Sequence, residues 1–262
     1  MSEPLIQLAR DSRNVVTATM NRPEKNNAYN GALLQALTGA LASSRNDDAV
    51  RALVVRGAGK HFQAGADLDW IGALSKQDSA ANRAASALTS NTMKALFEFP
   101  VPTIALIQGA CIGGGTGIAA SCDIVIAEEN AVFAISEARW GMIASIIFPQ
   151  LVQAIGLRHA RRYALSCERF DATQAKLMGF VHEVVNPGGL DVALEALLAS
   201  LLRAGPEALR ESKRLLLAHP DVQWHELEAA HAKARQSAEA AEGIMSFKQR
   251  RDPSWFSPTD LP

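Results

Sequence analysis

The 262 residues carry 26 Lys plus Arg against 27 Asp plus Glu, a formal net charge of −1, which leaves no basic excess for a nucleic-acid backbone. Hydrophobic residues at 48% and charged residues at 20% exclude a mainly disordered chain, because apolar surface is plentiful enough to offset ordering entropy. Three cysteines, Cys111, Cys122 and Cys167, cannot all pair and are expected as reduced, buried thiols.

Along the chain, Met1-Ser2-Glu3-Pro4 has neither the basic leader nor the apolar core of a secretory signal, so a cytoplasmic location is expected. Val15 to Met20 reads as a strand, Asn21-Arg22-Pro23 as a turn, and Gly31 to Ser44 as a helix striped by Leu33, Leu34, Leu37 and Leu41. A strand at Ala52–Arg56, a helix at Ser79–Phe97 stopped before Pro100, and a strand at Thr103–Ile107 follow. Gly113–Ala120 opens another helix and Asp123–Ala127 is a fourth strand, an alternation that predicts parallel strands with helical crossovers. Val101 to Cys122 is uncharged and long enough to span a bilayer, but Pro102, Gln108 and five glycines argue for burial in protein instead. Beyond residue 157 the spacing predicts helices at Arg158–Leu165, Thr173–Met178, Leu190–Leu202, Pro206–Leu217 and Trp224–Ala241. The last is striped by Leu227, Ala230, Ala234 and Ala238. An α/β core over 1–195 and a helical C-terminal region over 196–262 are therefore expected.

Candidate chemistry clusters at two glycine turns and one carboxylate. Ala64-Gly65-Ala66 is small enough for a ligand to approach the backbone, and Asp67 can cap a helix beginning near Leu68. The run Gly109 to Gly117 follows a buried strand and opens a second helix. Each turn leaves free N–H groups, and two such turns can hold one carbonyl oxygen as it becomes an oxyanion. Glu137 lies in an apolar stretch that invites a raised pKa, although an ordinary ion pair with Arg139 or another basic residue is the better reading of the local sequence. Gly57-Ala58-Gly59-Lys60 lacks the spacing of a phosphate loop, and Lys60 reads equally as a phosphate contact or a solvated lysine. The six histidines show no metal-ligand pairing, no Gly-x-Ser-x-Gly elbow is present, and Cys111 beside glycines reads as a packed thiol.

Taken in order, Asn21-Arg22-Pro23 with Asn27-Ala28, His61-Phe62-x-Ala64-Gly65-Ala66-Asp67-Leu68, Gly109-x-x-x-Gly113-Gly114-Gly115, Cys122-Asp123 and Phe133-x-x-x-Glu137 resemble the crotonase (enoyl-CoA hydratase/isomerase) superfamily. Ala172, Gly179-Phe180-Val181 and Phe247 to Arg251 look like its later landmarks. The resemblance implies the α/β crotonase (ClpP/crotonase-like) fold of repeated ββα units with a helical trimerisation part, assembled as a homotrimer or dimer of trimers. It implies oxyanion-hole N–H groups on Ala66 and Gly114, and an acyl-CoA thioester whose coenzyme follows Ala64, Gly65, Asp67 and Leu68. Gly113 lies beside this path, Arg22 and Ala28 near the nucleotide end, and Arg250 reaches a neighbouring subunit's coenzyme. No metal or redox cofactor is implied, since coenzyme A is part of the substrate. Of the family's two catalytic glutamates, one falls on Glu137 and the other on Gly117. That substitution, with Ser136 to Gly141 and Ile146-Ile147-Phe148-Pro149, is similar to a glutaconyl-CoA hydratase branch acting on 3-methylglutaconyl-CoA or isohexenylglutaconyl-CoA in leucine or acyclic terpene breakdown. An enoyl-CoA isomerase and a non-catalytic acyl-CoA-binding protein are the alternatives.

Overall fold

The β-branched and leucine-rich runs condense into two sheets in the computed structural model, which describes residues 3–256. The larger sheet holds β1 (Ile6–Arg10), β2 (Val15–Met20), β3 (Ala52–Gly57), β4 (Thr103–Ile107), β6 (Ile124–Glu128) and β9 (Glu183–Val185), neighbours in that order. Only the edge strand β1 is antiparallel; Val15 pairs Ala52, Leu53 pairs Thr103 and Ile104 pairs Ile124 in parallel register. A parallel sheet needs cover on both faces, and alternation supplies it. Leu53, Val55 and Ala105 face α1 (Gly31–Arg45) and α3 (Ser79–Phe97), whereas Ala52, Val54, Ile104 and Leu106 face α7 (Leu190–Leu201).

The smaller sheet is β5 (Ala110–Ile112), β7 (Val132–Ala134) and β8 (Phe170–Asp171). Strand pairs precede helices as ββα units: β1–β2–α1, β4–β5 before α4 (Gly114–Ala120), and β6–β7 before α5 (Phe148–Ser166). The short helices α2 (Leu68–Leu74) and α6 (Ala172–Leu177) fill the remaining connections. Among the described residues no helix is long and apolar enough to cross a membrane. The uncharged segment 101–122 is instead β4, β5 and α4, buried in protein.

Beyond the core come α8 (Pro206–Ala218), α9 (Trp224–Arg235) and α10 (Ala238–Gln249). The single helix expected at Trp224–Ala241 is thus two helices. Ser237 breaks it, because its hydroxyl caps α10 by accepting from the Ala240 N–H at 3.0 Å. The helix expected at Arg158–Leu165 is present: Gly156, non-helical at φ 71°, interrupts α5, so its second half begins beside Arg158 and a further helical stretch precedes it from Phe148. Residues 257–262 of the expected C-terminal region, and Met1 and Ser2, lie outside the described residues. A half-buried ion pair fastens α8 to the core: the buried Lys213 Nζ donates to the half-buried Asp123 Oδ2 at 2.5 Å and to the Val101 carbonyl at 3.0 Å.

Candidate active site

Two glycine turns, from β3 and β5, meet at one cavity of 560 Å³. The first turn is tied down from three sides. The Gly65 N–H donates to Gln63 Oε1 at 2.7 Å, Gln63 Nε2 donates back to the Gly65 carbonyl at 2.7 Å, and the Tyr29 N–H donates to the same carbonyl at 2.9 Å. Gly65 adopts φ +93°, open to glycine at little strain. Asp67 caps α2 by accepting from the Asp69 N–H at 2.9 Å, as expected.

The second turn starts α4 and is bolted to the first. Gln63 donates to the Ala110 carbonyl and accepts from the Ile112 N–H, at 3.0 and 2.9 Å. A Cβ on Gly115 would fall 2.5 Å from Gln63 Oε1, so only glycine permits this approach. Gly113, at φ +55°, donates its N–H to the Ala134 carbonyl at 2.7 Å. Two amides are left over: neither the Ala66 N–H nor the Gly114 N–H has an acceptor among the described residues. Both residues line the cavity.

Glu137 follows β7 and reaches the second turn, where a Cβ on Gly113 would lie 3.0 Å from its Oε1. Its Oε2 is buried with no hydrogen-bond partner. Burial pushes its carboxyl above the usual carboxylate range, an effect only partly offset by the backbone amides of Glu137 and Ser136. The expected ion pair, with Arg139 or another basic residue, does not form among the described residues. Glu137 and Arg139 share one turn of 3₁₀ helix (Glu137–Trp140), and Arg139 is exposed with no ion pair among the described residues. A carboxylate placed this way can accept and return a proton inside the cavity.

Ala64, Gly65, Ala66, Leu68, Gly113, Gly114 and Glu137 all line this one cavity. Arg22, Ala28 and Asp67 stand behind its wall: Arg22 pairs with Asp67 at 2.6 Å and donates to the Ala28 carbonyl at 2.9 Å. Burial pushes the Asp67 carboxyl up, but the Arg22 guanidinium and the helix amides more than reverse this and leave it below the usual range. Arg250 caps the end of α10 and is not on the cavity wall. Lys60 lines a neighbouring cavity of 670 Å³ that shares Ile112 and Arg169 with the first. Cys111 and Cys122 are buried thiols whose pKa burial pushes up, in line with packing. Among the described residues no cluster of three metal-ligating side chains occurs.

Three further residues shape the site and were not singled out by spacing. Gln63 is fully buried and braces both turns. Tyr29 packs its ring on Gly114. Ile147 fills the space beside Gly117, where a Cβ would come within 2.1 Å of its Cγ2. A lone buried polar residue between Phe62 and Ala64 was the only local signal for Gln63; the other two depend on non-local packing.

A family model described as enoyl-CoA hydratase/isomerase matches residues 10–258. The 2,3-dehydroadipyl-CoA hydratase of Escherichia coli is 33% identical, over 97% of this chain and 99% of its own. A solved structure from Legionella pneumophila, described as an enoyl-CoA hydratase/isomerase (crotonase), superposes with a TM-score of 0.91 at 35% identity and covers 97% of this chain and 100% of that one. Pseudomonas aeruginosa AtuE superposes with a TM-score of 0.92 at 34% identity, covering 96% and 99%.

Proposed function

Because the chain belongs to the enoyl-CoA hydratase/isomerase family and has its crotonase fold, we propose that it is a cytoplasmic hydro-lyase that adds water across the double bond of a 3-branched glutaconyl-CoA. The branch is methyl or isohexenyl, as in leucine or acyclic terpene catabolism. One observation carries the reading: two N–H groups without acceptors, on Ala66 and Gly114, line the same cavity as Glu137, whose carboxylate keeps one buried oxygen, Oε2, without a donor.

In this reading the thioester oxygen lies between the Ala66 and Gly114 amides. Glu137 takes a proton from water as the new C–O bond forms at Cβ. The π electrons move to the Cα–C1 bond, and the carbonyl pair moves onto oxygen as an enolate held by the two amides. Glu137 then returns the proton to Cα and the carbonyl reforms. Branching at Cβ stabilises positive charge there, which lessens the need for the second carboxylate absent at Gly117. Trp70, Ile71, Leu74, Ile143 and Ile147 give the cavity an apolar wall suited to a branched chain. Arg139 and Arg169, without ion pairs among the described residues, line it too and suit the distal carboxylate of a dicarboxylic acyl group. Coenzyme A follows the Ala64–Leu68 turn, with Arg22 and Ala28 at its nucleotide end, and no further cofactor is required.

The assembly is a homotrimer or dimer of trimers. α9 buries no residue within its own subunit, and Trp224, Ile244, Met245 and Phe247 are exposed around it, so these helices offer an apolar face to a neighbour. Arg250, off its own cavity, then reaches a neighbour's coenzyme. The isomerase alternative is favoured by a single observation, that one carboxylate suffices to move a proton between carbons.

Hydration rates with 3-methylglutaconyl-CoA, isohexenylglutaconyl-CoA and crotonyl-CoA test the reading. A preference for a branched glutaconyl thioester supports it, and equal or better rates with crotonyl-CoA refute the branch.

A further inference from the structure

We propose that the Tyr29 hydroxyl is a third hydrogen-bond donor to the enolate oxygen, so that a site short of one carboxylate gains one phenol. Tyr29 is built into both halves of the oxyanion site. Its backbone grips the first turn from either side of Ala66: its N–H donates to the Gly65 carbonyl at 2.9 Å, and its carbonyl accepts from the Asp67 N–H at 2.8 Å. Its ring lies against the second turn, where a Cβ on Gly114 would fall 2.4 Å from Cε1 and 2.7 Å from the hydroxyl oxygen. Since a Cβ stands about 2.5 Å from its own amide nitrogen, the hydroxyl lies within about 5 Å of the Gly114 N–H.

The side chain is 8% exposed, held edge-on by Trp70 at 6.1 Å between ring centroids, and lines the cavity. The hydroxyl has no hydrogen-bond partner among the described residues and, unlike Glu137 Oε2, is not enclosed by protein, so it is open to a ligand in the cavity. Burial, and then the nearby Glu137, push its pKa up, so it stays protonated and serves as a donor and not as a base. No proton is transferred: the hydroxyl strengthens its bond to oxygen as charge develops there and relaxes when Cα is protonated. The substrate's identity rests on the hydration reading; the hydrogen bond itself requires only a thioester that forms an enolate.

Tyr29→Phe removes the hydroxyl and keeps the ring on Gly114 and Trp70, so its melting temperature should match wild type. Losing an oxyanion donor typically lowers kcat about 10²–10³-fold, and one of three donors belongs at or below the lower end, about 10- to 100-fold, with KM little changed. Acetoacetyl-CoA supplies a readout that does not need turnover, because its enolate absorbs in the near ultraviolet. Wild type should bind it as the enolate, and Tyr29→Phe should raise the pH at which the enolate forms by about 1 unit or more, the equivalent of a tenfold loss. Unchanged kcat, an unchanged enolate titration, or a wild type that forms no enolate each overturns the proposal. If wild type hydrates none of the thioesters yet forms an enolate that Tyr29→Phe weakens, the hydration reading fails and the role of Tyr29 stands.

Discussion

Gly117→Ala isolates what has become of the missing second glutamate. Gly117 lies inside α4, where replacing glycine by alanine favours a helix by about 1 kcal/mol. A methyl there would instead fall 2.1 Å from Ile147 Cγ2 and 2.9 Å from its Cβ, and the Cβ is fixed by the backbone whatever rotamer the side chain adopts. Overpacking of this kind costs about 1–3 kcal/mol, so the single substitution should destabilise. Ile147→Ala alone should cost about 2–5 kcal/mol through the cavity it leaves. In the double variant the new methyl enters that cavity and the helix preference returns. It should therefore be at least as stable as Ile147→Ala, with a favourable coupling of about 1–3 kcal/mol. Urea midpoints at one fixed protein concentration give all four corners of the cycle. A Gly117→Ala variant as stable as wild type would refute the claim that Ile147 occupies the vacant carboxylate's space.

Glu137→Gln should lower turnover about 10²–10⁴-fold with thioester affinity kept, measured as kcat and as binding of a non-reactive acyl-CoA. The acid limb of the wild-type rate should lie above the ordinary glutamate value of about 4.3, since the base must be unprotonated. A raised carboxyl favours folding when protonated and loses that contribution as pH rises through its folded pKa, so at pH 7 Glu137→Gln should melt at or above wild type; a lower melting temperature contradicts the buried-carboxylate account. Lys213→Ala leaves Asp123 without its buried partner and should cost about 3–5 kcal/mol by urea unfolding, with α8 opened to protease; a loss below about 1 kcal/mol would deny that this pair anchors the C-terminal helices. Light scattering should give a mass well above the 28.0 kDa protomer, and truncation after Gly243 should weaken both assembly and thioester affinity. A 28.0 kDa species refutes the assembly, and an oligomer with unchanged affinity refutes the role of Arg250 alone.

Long periodic segments were legible in the sequence: β2, β4, α1 and α3 fall within a residue of their spacing. The strands β5, β7, β8 and β9 were not, because strands of two or three residues are set by neighbouring backbone and not by their own pattern, and the edge strand β1 was missed because four of its five residues are exposed. At the site, the two glycine turns could be read because small residues announce backbone chemistry. Their braces could not. Gln63, Tyr29 and Ile147 act through partners up to 85 positions apart, such as Tyr29 on Gly65 and Gly114. The nearby Arg139 suggested a salt bridge for Glu137, and only the folded turn separates them. That separation leaves the carboxylate without an ionic partner, as the proposed acid/base role requires.

Turnover of 3-methylglutaconyl-CoA in deuterium oxide, followed by mass spectrometry and proton NMR of the product, tests the central claim most directly. Wild type should form a 3-hydroxyacyl-CoA that has gained one water, with one deuterium at Cα, and Glu137→Gln should not. Deuterium exchange or double-bond migration without any hydrated product would contradict the claim and leave an isomerase.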